Sequence, residues 1–265
     1  MIGPPPDPRW TPIPATLLDD PLGHAVCIAL GAALCAAWFA RRLPEGVRVP
    51  LLILGLTLVL TSPWAAHVDQ HWLGAFPTID KEGSLLFYLD GVHTRSLAHP
   101  IAALQDPAVQ LIGVHTGHLW LIALADILLS PMGAFGLWTL LTPALGWWAM
   151  TTLLRRLGHT APIALAMGFP FGMGLHVFRD LNWYTIEKAQ VFWLPVFALA
   201  WVRALDDGPS KWRLAVPGLL WTVITWNNLY FGILIALGAV GWTILQAVAS
   251  PRSPAVRRAV LAGLG

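Results

Sequence analysis

Polar positions in this chain are gathered into a few short connectors between long apolar runs. The apolar runs lie at about 23–40, 49–66, 134–154, 161–177, 189–205, 213–228 and 229–249. Most approach the ~20 residues that cross a bilayer as a helix. None alternates apolar and polar residues with a period of two, which excludes a transmembrane β-barrel. The pattern predicts an all-α fold, a polytopic transmembrane helical bundle of about seven spans. An eighth run, at 109–129, carries His115, His118 and Asp126 among its apolar residues.

Composition agrees with this pattern. The chain has 265 residues, 56% hydrophobic and only 11% charged. A soluble domain of this size carries about a quarter of its residues as charges. A net charge of +2 is too small to imply a nucleic-acid partner. Cys27 and Cys35 are eight residues apart in one run, about 12 Å along a helix and too far for a disulfide. Residues 1–22 are Pro-rich and lack the basic start of a signal peptide. They read as an exposed segment before a single transmembrane domain at 23–265.

Charge sets the orientation. The connectors after 40, 154, 205 and 249 hold Arg41, Arg42, Arg48, Arg155, Arg156, Lys211, Arg213, Arg252, Arg257 and Arg258. Lys and Arg concentrate in cytoplasmic loops, so all four connectors are expected on that side of a bacterial inner membrane. An even number of crossings must then separate 41–48 from 155–156. The spans 49–66 and 134–154 already supply two, so 109–129 is expected to be a re-entrant or interfacial helix. The alternative is that it spans and that 84–98 also dips into the membrane. With 109–129 re-entrant, the preferred reading, the N-terminus, the long loop 67–108, the loop 178–188 and the turn at Asn227–Asn228 face outward.

The outer side collects the candidate chemistry. Of nine histidines, only His159 falls at a cytoplasmic connector. The long loop adds Asp69, Asp80, Glu82, Asp90 and Asp106. Such a face suits acid–base work, proton handling or a divalent metal ion, the candidate cofactor. The same composition also results when outer loops simply lack Lys and Arg. His115 and His118 share a helical face, as metal ligands or as a hydrogen-bonded pair turned inward. Asp126 is either an intramembrane functional carboxylate or a cap on the turn before Ser130–Pro131. The second outer loop, FRDLNWYTIEKAQ (178–190), places Arg179 and Lys188 beside Trp183 and Tyr184. The cations suit an anionic headgroup, or ion pairs with Asp180 and Glu187. TWNNLYFG (225–232) adds Asn227, Asn228 and Tyr230.

From about 78 to 235 the order of these elements resembles the bacterial membrane proteins grouped with GT-C glycosyltransferases, relatives of the protein O-mannosyltransferases. The matching pieces are TIDKEGSLLFYLDG, HTGHLWLIALADILLSPMGAFG, a span closing on LLRRL, the polar loop leading into FWLP, and LYFG. The resemblance implies a glycosyltransferase that moves a sugar from a polyprenyl-phosphate donor, held among membrane lipid, to an acceptor at the outer face. By it, Asp80 is the catalytic base or orients a metal, and Glu187 helps position the donor. Arg179 and Lys188 bind the lipid phosphate, with Tyr184, His118, Asn228 and Tyr230 as further substrate-binding candidates. Where such chains have Gly-His or Gly-Gln before the WLP element, this one has Glu187-Lys188-Ala189-Gln190. Members also have more spans, and the ending AVRRAVLAGLG resembles the start of another apolar helix. A missing C-terminal half or a further subunit is therefore expected. The alternatives are a flippase or transporter for lipid-linked sugars, or a non-catalytic membrane subunit.

Overall fold

The computed structural model describes residues 20–40, 42–66, 129, 131–182, 189–206 and 211–249, and its regular structure there is entirely helical. The N-terminal segment before residue 20, the whole loop 67–108 with the run 109–128, and the C-terminal stretch after 249 lie outside the described residues.

Each of the seven predicted apolar runs is helical. α1 is Pro21–Ala36, extended by a 3₁₀ turn at Ala37–Phe39, and α2 is Glu45–Leu60, followed by the short α3 at Ser62–Ala65. α4 is Pro131–Arg156, α5 Ala161–Met173 and α6 Leu175–Asn182. α7 is Trp193–Asp206, α8 Lys211–Asn227 and α9 Leu229–Ala249.

Local chemistry explains the boundaries. Asp20 caps α1, accepting from Gly23 N at 2.9 Å, with Pro21 as the first helical residue. Arg155 and Arg156 end α4 where the helix dipole favours cations. The tight turn into α5 uses Gly158 at φ 96°, which a glycine adopts without strain. The run predicted as one span at 161–177 breaks at Gly174, whose backbone is extended (ψ 156°), and α6 starts afresh. Within the helices, Thr57, Thr61, Thr142, Thr225 and Thr243 each donate to the carbonyl four residues earlier, at 2.7–2.9 Å. A hydroxyl without water satisfies itself in this way.

Helices meet where side chains are small. A Cβ on Gly31 would sit 2.6 Å from Gly55 O, and one on Gly55 the same distance from Gly31 O, so α1 and α2 touch backbone to backbone. α4 and α5 do the same, because a Cβ on Gly172 would collide with Pro143 O and Trp147 N. Trp147 Nε1 then donates to Leu165 O at 2.9 Å across that contact. Small residues that admit close backbone approach are the usual device of apolar helix pairs. Val49, Ile53, Ala144 and Trp147 fill the core between α2 and α4, and Phe197, Ile224, Phe231 and Ile235 fill that of α7–α9. α4 joins the halves, packing on both α2 and α7.

These contacts fix directions. Arg155 Nη2 lies 2.9 Å from Glu45 Oε1, so the start of α2 meets the end of α4. Phe192 packs edge-on against Trp138 (6.1 Å), so α7 starts beside the start of α4. Asn227 bonds Gln190, which brings the end of α8 to the start of α7. Arg42, Arg48, Arg155, Arg156 and Arg203 therefore share one end of the bundle, as the charge pattern predicts for a single side. The opposite end gathers Asp20, α3, the start of α4, α6, Gln190 and the α8–α9 turn.

Two stretches, Pro21–Phe39 and Ala161–Phe178, are long and apolar enough to cross a membrane, and Trp193–Leu205 and Leu229–Leu245 are shorter apolar helices. The outward faces are apolar too: Leu237, Leu245 and Val248 are 64%, 70% and 78% exposed.

Gly172→Ala is expected to lower stability by about 1–3 kcal/mol, because the new methyl meets backbone that cannot swing aside. Gly218→Ala, where a Cβ has nothing within 4 Å, is expected to be neutral or stabilising by up to about 1 kcal/mol. Unfolding of the purified protein in detergent measures both.

Candidate functional site

At the end opposite Arg42, Arg48, Arg155, Arg156 and Arg203, three buried amides meet. Gln190 lies in the turn before α7, 0% exposed, between the predicted phosphate-binding connector and FWLP. Asn227 ends α8 (2% exposed) and Asn228 forms the one-residue link to α9 (1% exposed). The link is short because Asn228 N still bonds Ile224 O at 2.7 Å while Asn228 O already accepts from Gly232.

The cluster is built around one oxygen. Gln190 Oε1 accepts from Asn227 Nδ2 at 2.6 Å and from Trp193 Nε1 at 3.1 Å. An indole N–H can only donate, so it sets which end of the Gln190 amide is oxygen. The carboxamide face left over consists of Gln190 Nε2 and Asn227 Oδ1, both buried and without a partner among the described residues. Asn228 has a different job: its Oδ1 accepts from Phe231 N at 3.3 Å, making it the N-cap of α9. Around the cluster, Phe192 and Trp193 pack at 4.8 Å, with Trp138 against Phe192. Trp64, in α3, and Trp138 also bury indole N–H groups with no partner among the described residues.

The predicted site residues fare differently. Asn228 is buried as a cap, and Tyr230, in the first turn of α9, is 64% exposed. Arg179 lies in α6, the helix that precedes the connector to Gln190. Asp80, His118, Tyr184, Glu187 and Lys188 lie outside the described residues. No group of three or more His, Cys, Asp or Glu side chains gathers as a metal site among the described residues. The sequence placed Asn227 on the outer surface without giving it a binding role, and did not single out Gln190. The available signal was a doubled Asn where one suffices to cap a helix, and a Gln facing an apolar start.

The chain matches no protein-family model, no curated protein and no solved structure.

Asn228→Ala is expected to lower stability by about 1 kcal/mol through loss of the cap, with Asn228→Asp retaining most of it. Trp193→Phe removes a neutral hydrogen bond to Gln190 and is expected to lower stability by about 1 kcal/mol. Thermal unfolding in detergent would show both losses.

Proposed function

We propose that this chain is a polytopic inner-membrane protein that transfers a sugar from a polyprenyl-phosphate donor at the outer end of its helices. The observation that carries the reading is the sorting of polar groups. Among the described residues, the buried amides collect at one end of the bundle, on the side of α6 and Arg179, while Arg42, Arg48, Arg155, Arg156 and Arg203 lie at the other. Exposed apolar helix faces of this extent need an apolar surrounding. In a bilayer the arginine end is the cytoplasmic one, and the amide end faces out, where lipid-linked sugars are used. All seven apolar helices then serve as spans, the shorter ones lengthened by their flanking turns.

In this reading Asp80 takes the proton of the acceptor hydroxyl as its oxygen bonds to the sugar's anomeric carbon. The bond from that carbon to the phosphate oxygen breaks, and the lipid phosphate leaves with the electron pair. Arg179 and Lys188 neutralise the departing phosphate, and Glu187 holds the connector's cations in place. Tyr184 and His118 line the sugar.

Mass spectrometry of lipids that co-purify with the chain tests this directly. A polyprenyl-phosphate sugar is expected with the native protein and lost from the Arg179→Ala/Lys188→Ala variant. Bulk phospholipid alone in both samples would overturn the donor site. With donor bound, Asp80→Asn is expected to slow transfer at least about 100-fold. Donor binding by the native protein without transfer would leave a lipid-linked-sugar carrier instead.

A further inference from the structure

Gln190 and Asn227 are enclosed by protein, yet each keeps one polar atom unmet among the described residues: a donor on Gln190 and an acceptor on Asn227. An unmet buried donor or acceptor costs about 1–3 kcal/mol. Buried polar groups in native proteins are mostly paired. Among the described residues His24, Arg48, Trp64, Trp138 and Trp201 also bury one unmet atom each, but only here do an unmet donor and an unmet acceptor sit on two amides bonded to each other. The other two atoms of these amides are committed: Asn227 Nδ2 to Gln190 Oε1, and that oxygen also to Trp193 Nε1. Neither amide can turn over to meet its own need without breaking a bond already made.

We propose that Gln190 Nε2 and Asn227 Oδ1 form a subsite for the hydroxyl groups of the sugar on the lipid donor. This rests on the transferase reading above. The chemistry of the two atoms selects the ligand group. A hydroxyl both donates and accepts, so the hydroxyls of a sugar can meet the donor and the acceptor alike. A phosphate diester only accepts, so it would leave Asn227 Oδ1 unmet, and a polyprenyl chain meets neither atom. The subsite therefore reads the sugar and not the lipid or its phosphate. Its place fits: Gln190 directly follows the connector that carries Lys188 in sequence, so phosphate and sugar contacts lie in chain order. Trp193 is then a positioning residue, holding Gln190 in the orientation that turns its N–H toward the ligand.

Binding of two probes to the full chain in phosphatidylcholine nanodiscs tests the subsite. One probe is a polyprenyl phosphate, and the other is the same lipid carrying glucose. The native protein is expected to bind the glucosyl lipid about tenfold more tightly, the worth of a well-placed hydrogen-bonded group. Gln190→Met is expected to abolish that preference while binding the bare polyprenyl phosphate as the native protein does. Should Gln190→Met fail to fold by circular dichroism, Gln190→Glu keeps the acceptor for Asn227 and Trp193, loses the donor, and serves in its place. Equal binding of both probes by native protein, or a preference that survives substitution, overturns the subsite and leaves the pair to a bound water. Failure to bind either probe overturns the transferase reading itself, and the subsite with it.

Discussion

Two apolar helices surrounded by apolar material gain little by hiding side chains from water, so how closely their backbones can approach decides how well they hold. The contact of Gly172 with Pro143 and Trp147 is the clearest case here, because α4 and α5 touch with no side chain between them. That approach brings Trp147 Nε1 within reach of Leu165 O. α4, held in this way, carries the rest: α2 packs on it from one side and α7 from another, and α8 and α9 follow α7. Gly31 and Gly55 repeat the device between α1 and α2.

Once the helices are fixed with their ends aligned, polar groups have few places to go. Threonine hydroxyls inside the bundle return to their own helix. Amides cannot do so and fall at the helix ends, where the backbone turns. Gln190, Asn227 and Asn228 occupy such positions, and the three divide the work. Asn228 caps α9, Asn227 ties α8 to the start of α7, and Gln190 receives that tie with a second bond from Trp193. The stability of this end thus rests on the same few side chains that the proposed subsite would use.

Much of the helical layout was legible from apolar run lengths and from where arginines fell. Those features depend only on a local property, the avoidance of charge in apolar surroundings. Break points were less legible. The run 161–177 reads as continuous, yet Gly174 stops α5, and the run expected to start at 189 is broken at Gln190–Phe192, the turn that brings Gln190 to Asn227, before α7 begins at Trp193. Which amide caps and which one pairs across helices depends on a neighbour 37 residues away, and no local pattern encodes that. Asn228, read from sequence as a ligand contact, also caps α9 through Phe231 N, a role no local pattern distinguishes from it. The acids and cations of the long loop and of 183–188 lie outside the described residues, so their arrangement rests on sequence alone.

The ion pair between Glu45 and Arg155 joins residues 110 apart in the chain. Both partners are partly exposed, so the pair itself adds at most about 1 kcal/mol. Its sequence separation matters more for the order of assembly. α1 with α2, α4 with α5, and α7 with α8 and α9 are neighbours in the chain, and each group can close soon after it is synthesised. The docking of α2 onto α4 must wait until the whole intervening segment has been made. Such non-local pairings are the slow ones. The α1–α2 pair can therefore form before its docking surface on α4 exists.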